Sequence, residues 1–113
     1  MNWSDFLLES IDINYDKIVV VISIDDKIVK INCDNFISIQ YIGQWDENVI
    51  SMIKVYTDDN FCQESRLIVN KNNNSTLLGG GIKNVNDIWY HLQIELLDKV
   101  NIHIVCTDVK INK

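Results

Sequence analysis

The segment from Trp89 to Cys106, WYHLQIELLDKVNIHIVC, leaves the chain little freedom in local structure. Tyr90, Leu92, Ile94 and Leu96 alternate with His91, Gln93 and Glu95. After a polar break, Val100, Ile102, Ile104 and Cys106 alternate with Asn101, His103 and Val105. A period of two marks a strand with one buried face, and two such runs around a short break read as a β-hairpin. Putting both apolar faces on one side fixes the register: Leu96 opposite Val100, Ile94 opposite Ile102, Leu92 opposite Ile104, and Tyr90 opposite Cys106. Leu97, Asp98 and Lys99 are then the loop. A slip of one residue would drive Asn101 and His103 into the core.

The same logic organises the first half. Ile11, Ile13 and Tyr15 alternate with Asp12, Asn14 and Asp16, and a turn at Asp16 and Lys17 leads into Ile18 to Ile24, which is apolar on nearly both faces and therefore reads as a central or doubly covered strand. Asp25 and Asp26 form a two-residue turn that sets Ile22 opposite Val29 and Val20 opposite Ile31. Phe36 to Ile42 and Val49 to Tyr56 read as strands around the tip GQWDEN, Gly43 to Asn48. Trp3, Phe6, Leu7 and Leu8 follow Asn2 and Ser4 as one or two capped helical turns. Asp58 to Glu64 supports two readings: Asp59 or Asn60 caps a short helix, or the chain runs toward a strand edge at Leu67, Ile68 and Val69. Asn70 to Thr76 reads as a polar loop, and Gly79 to Gly81 as irregular chain.

The expected fold is therefore all-β, or β-rich with one short helix. It is an antiparallel meander of about seven to nine strands, folded as a sandwich or partly open barrel over a single β domain, residues 1–113. The 113 residues contain no proline, and 47% are hydrophobic, with Ile and Val prominent, which favours strands. MNWSDFLLES lacks the basic start and apolar run of a signal peptide, and no stretch reaches the roughly 20 apolar residues of a membrane span. The expectation is a soluble, cytoplasmic chain with no membrane partner. Cys33, Cys62 and Cys106 form no C-x-x-C pair; Cys33 and Cys106 occupy apolar strand positions, and Cys62 is the one expected at the surface.

Charge is unevenly spread. Residues 1–65 carry 12 acids and 4 lysines, a net of −8, whereas residues 66–113 carry 4 acids and 6 basic residues, a net of +2. An acidic first half argues against nucleic acid or anionic membrane as partner, and for a basic protein or plain solubility. Paired carboxylates at Asp25, Asp26, Asp58 and Asp59 lack the calcium-loop pattern and read as turn formers. The glycines Gly79 to Gly81 lack phosphate-loop spacing. His91 and His103 sit diagonally on the polar face of the hairpin. A metal pair there needs a third ligand, for which only Glu95 is local, so both read as surface histidines. No catalytic residue, cofactor or metal site is expected. Trp89, His91, Gln93, Glu95, Asn101, His103 and Thr107 instead form one strip that reads either as a protein interface or as a face on which a second sheet or a loop covers Trp89, and Trp45 beside Asp46 and Glu47 reads either as an anchor for a basic partner or as a ring folded over the open end of a sandwich.

The start MNWSDFLLESI, the strand and tip ISIQYIGQWDENVI and the closing WYHLQIELLDKVNIHIVCTDVKI resemble the small acidic all-β immunity proteins of bacterial polymorphic and contact-dependent inhibition toxin systems. The resemblance implies an antitoxin with no chemistry of its own. It would bind a cognate toxin C-terminal domain, a basic nuclease, and block its active site or substrate access, and would be a monomer or weak dimer when free. The candidate contact residues are Asp25, Asp26, Trp45, Asp46, Glu47, Trp89, His91 and His103. The alternative is a small β-barrel holding a ligand or carbohydrate in its mouth. A third reading is an adaptor that pairs through an edge strand around Val109 to Ile111.

Overall fold

In a computed structural model that describes residues 3–41, 43, 48–76 and 88–112, with side chains in the helix described as far as residue 68, eight strands form two antiparallel sheets. In chain order they are β1 (Leu7–Ile13), β2 (Lys17–Ile24), β3 (Lys27–Asp34), β4 (Ser38–Gln40), β5 (Ile50–Thr57), the helix α1 (Asn60–Thr76), β6 (Tyr90–Leu96), β7 (Asn101–Cys106) and β8 (Asp108–Asn112). One sheet runs β1-β2-β3-β8 and the other β4-β7-β6-β5. The all-β architecture with one helix is the expected one.

Both hairpin registers hold. Tyr90 faces Cys106, Leu92 faces Ile104 and Ile94 faces Ile102, and Leu96 N–H donates to Val100 O at 3.0 Å. Lys99 closes the loop with φ 71°, the left-handed residue a three-residue hairpin loop requires. In the first sheet, Ile22 faces Val29 and Val20 faces Ile31, and Asp25, at φ 52°, supplies the positive φ of a two-residue turn. Ile18, Val20, Ile22, Val29, Ile31 and Cys33 point inward from one sheet, and Ile50, Leu92, Ile94, Leu96, Ile102, Ile104 and Cys106 from the other, so the core lies between the sheets. β2 is central, as its apolar run implies, with Val19 and Val21 half-buried on the outer face.

Four local expectations are corrected. The first residues form a turn, not a helix. Asp5 has φ 74°, Phe6 N–H reaches Trp3 O at 3.3 Å, and Phe6 and Leu8 enter the core. β1 begins at Leu7, earlier than the alternation suggests, and a bulge between Leu8 and Ser10 puts Leu8 and Ile11 on the same inward face. Tyr15 therefore lies beyond the sheet, 90% exposed.

The chain around GQWDEN is not a hairpin. β4 pairs with β7 and β5 with β6, so the two lie at opposite edges of one sheet. Asn70 to Thr76 belongs to α1 and is not a loop. Trp45, Asp46, Glu47 and Gly79 to Gly81 lie outside the described residues.

The sheets are joined at two corners. At one, Leu8 N–H donates to Asn48 O at 2.8 Å and Ile50 N–H to Phe6 O at 2.7 Å, tying the start of β1 to β5. At the other, Ile37 N–H donates to Val105 O at 2.8 Å and Thr107 N–H to Asp34 O at 3.0 Å. Among the described residues, no helix is long and apolar enough to cross a membrane.

Candidate functional site

The polar face of the β6–β7 hairpin is the outer face of the second sheet, and α1 lies across it. Asp59 begins the helix. Its Oδ1 accepts the Cys62 N–H at 3.0 Å and its carbonyl accepts the Gln63 N–H at 3.1 Å, the two bonds of an N-cap. The sequence NFCQESRLIVNKNNNST is asparagine-rich and a modest helix former. What holds its first turns is tertiary: Phe61, Cys62 and Ser65 share one face toward the sheet, while Leu67, 68% exposed, points away. Ser65 and Ser38 hydroxyls meet at 3.1 Å, and Arg66 Nη2 lies 3.4 Å from Asp58 Oδ1.

Under this helix, Asp59 Oδ2 is 2.7 Å from His91 Nδ1, and His91 Nε2 is 2.8 Å from His103 Nδ1. Phe61 lies nearly flat on both rings, 4.5 Å from His91 at 14° and 4.8 Å from His103 at 25°. Tyr56 flanks His91 at 5.2 Å and donates its hydroxyl to Gln93 Oε1 at 3.1 Å, and Gln93 Nε2 donates to Asn101 Oδ1 at 3.0 Å. A carboxylate only accepts, so His91 carries a proton on Nδ1. When His91 is neutral, its Nε2 accepts from His103 Nδ1–H, and the free lone pair of the row falls on His103 Nε2. The row ends at an imidazole that borders a cavity of about 330 Å³, with Gln40, Tyr41, Lys99 and Asn101 on its walls.

The electrostatics follow from this packing. Burial raises the Asp59 carboxyl pKa, but the hydrogen bonds from His91 and from Cys62, with the charge of His91, outweigh it and hold the group below its ordinary value. Burial, then the charge of His91, lowers His103, with Asp59 opposing. Burial, then hydrogen bonding to Asp59, pushes the Cys62 thiol up to about 12. Cys62 is buried against Trp89 and Val105, which corrects its expected exposure.

A pH dependence of stability follows, with a defined sign. His103 binds its proton less readily folded than unfolded, so its contribution is complete above the ordinary value of 6.5 and is lost as pH falls from there through the lowered folded value. Asp59 adds a second loss as pH falls from 3.8 through its own lowered folded value. Urea midpoints measured across this range are expected to fall in these two acid windows, and His103→Gln is expected to flatten the upper one.

The sequence-predicted candidates divide sharply. His91 is 5% exposed and Trp89 is buried, so the strip is a covered face and not an open one. The surface reading of His91 is corrected, and the diagonal reach between the two histidines is real. The rings spend their facing nitrogens on each other, and Glu95 is drawn to Lys99 at 3.8 Å. Among the described residues, no group of three His, Cys, Asp or Glu is placed to hold a metal ion. Asp59, read as a turn former, is the residue that sequence reasoning missed. Its signal was the cap position before NFCQ, but nothing local pointed to His91, 32 residues on.

Asp25 and Asp26 are exposed at the β2–β3 turn. They share the first sheet with Asp5, Glu9, Asp12 and Asp16, all exposed along β1 and its flanking turns, a stretch of 16 residues without a lysine or arginine. Lys17 and Lys110 are already engaged, each 3.8 Å from an Asp34 oxygen. No family model, no curated protein and no solved structure matches the chain.

Proposed function

We propose that the chain is an immunity protein, acting in the cytoplasm as a monomer or weak dimer. It would neutralise the C-terminal domain of a toxin, a basic nuclease, by occupying its active site or substrate approach. The observation that carries this reading is a run of six exposed carboxylates on β1, its flanking turns and the β2–β3 turn; of the lysines in the same sheet, Lys27 and Lys30 stand exposed on β3, and Lys17 and Lys110 lie near Asp34. A rigid acidic surface of this kind attracts a basic groove and speeds encounter without chemistry. The space between the sheets is filled by aliphatic side chains, which favours a surface binder over a ligand held in a barrel mouth. With Trp89 beneath α1, Trp45 is the aromatic anchor of this reading.

The test is co-expression with the domain encoded beside this chain, scored as growth rescue, together with association kinetics. Asp25→Asn, Asp26→Lys, Asp46→Lys and Glu47→Lys are combined, asparagine being chosen at 25 because it tolerates positive φ. Association at low salt is expected to slow about tenfold and to lose most of its salt dependence. Unchanged binding and salt response would sink the electrostatic reading.

A further inference from the structure

Among the described residues β1 is an edge strand, and its start is hydrogen-bonded to Asn48 and the beginning of β5 only as far as Leu8. Asn14 N–H donates to Lys17 O at 2.8 Å, so by antiparallel alternation Asp12 turns its backbone groups toward β2, and Ile11 and Ile13 turn theirs to the open side. That open side borders a groove of about 230 Å³ walled by Leu8, Ile11 and Ile13 of β1 and by Ile39 and Tyr41 across from them. Ile13 is 55% exposed there, Asp12 is exposed, and Glu9, exposed as well, lines the groove with Ser10 and accepts a hydrogen bond from Ser23 Oγ. The bulge at Leu8/Ser10 and the carboxylates of Glu9 and Asp12 guard this edge against a second copy, but β1 has no proline to block a ladder and no lysine to repel a basic strand.

We propose that the Ser10–Ile13 half of β1 is a strand-addition site for an extended segment of the basic partner. That segment would be apolar at every second residue, to fill the groove, and basic between, to meet Glu9 and Asp12. The proposal rests on the neutralisation reading above and names how the partner is held. Main-chain hydrogen bonds to Ile11 and Ile13 supply affinity and the alternate side chains supply specificity. A second copy of this chain is a poor occupant, because β1 against β1 brings carboxylates together.

The test uses the full chain and two eight-residue peptides, one alternating lysine and valine, the other glutamate and valine. The lysine peptide is expected to slow amide exchange at Ile11 and Ile13 about tenfold and to leave Asp12 unchanged, and the glutamate peptide to do neither. Ile13→Pro, tolerated at an edge, is expected to weaken peptide binding about tenfold with the urea midpoint retained. Should that variant not fold, amide exchange of the unsubstituted chain decides.

Absence of protection, equal protection by both peptides, or protection that grows with protein concentration alone would overturn the proposal, the last in favour of self-pairing. A neutralised toxin domain that binds Ile13→Pro as tightly as the unsubstituted chain overturns strand addition and leaves the function standing. Failure of the unsubstituted chain to rescue growth against that domain overturns the function instead.

Discussion

Asp59→Ala is expected to lower stability by about 3 kcal/mol, because one side chain performs two tasks. The cap contributes about 1 kcal/mol, and a hydrogen bond from a buried imidazole to a carboxylate about 1.5–3 kcal/mol more. The substitution removes the acceptor of the Cys62 N–H and leaves His91 Nδ1 facing an apolar methyl beneath α1. Asp59→Asn separates the tasks. Asparagine caps as well as aspartate, so the loss is confined to the carboxylate–His91 bond, about 1–2 kcal/mol. Equilibrium urea unfolding gives the free energies, and amide exchange in the first turns of α1 shows where the loss falls. Equal losses for the two substitutions would mean that the cap adds nothing to the carboxylate–His91 bond, and no loss for asparagine would mean that the carboxylate charge contributes nothing beyond the cap.

Trp89→Ala is expected to cost about 3–5 kcal/mol, the range for deleting a large aromatic from a packed site. Trp89 is fully buried with Cys62 and Val105, against Ile37 and Phe61, where the helix meets the sheet. Its Nε1–H has no hydrogen-bond partner among the described residues. An unpaired buried donor is itself costly, by about 1–3 kcal/mol, and that offsets part of the cavity left by a smaller ring. Trp89→Phe is therefore expected to lose only about 1 kcal/mol. A loss near that of alanine would show that the indole N–H is hydrogen-bonded in solution.

Both effects converge on α1, which carries few strong helix formers toward its end and is held by its first two turns. The Asp59–His91–His103 row, the flat contact of Phe61 and the Trp89 cluster are a single attachment, and its acid sensitivity is that of His103 and Asp59. The row borders a cavity, but its hydrogen bonds are turned on one another. That geometry suits a fastening more than a catalyst.

The two hairpins were legible because their determinants are local. A period of two assigns each side chain a face, and a loop of fixed length then permits one register that keeps Asn101 and His103 out of the core. The residue pairs from Tyr90 and Cys106 inward follow from that alone. At Asp59 the local signal left two readings open, a cap at Asp59 or Asn60 or a run toward a strand edge, and the structure takes the cap at Asp59. Cys33 and Cys106, at alternating apolar positions, were correctly placed as buried thiols.

What the sequence did not determine is what lies on the other side of each face. Alternation showed that His91 and Trp89 leave the inter-sheet core, but not that a helix with a modest intrinsic preference would settle over them. That depends on contacts between residues some 30 positions apart. The partners of β4 and β5 were hidden likewise, since a polar tip between two apolar runs looks like a hairpin until β6 and β7 take the places between them. Period and turn chemistry act over a few residues and fixed the strands and their registers. The order of strands, the cover over the second sheet and the open edge of β1 are settled only when distant segments compete for the same surface, and tertiary structure alone resolves that competition.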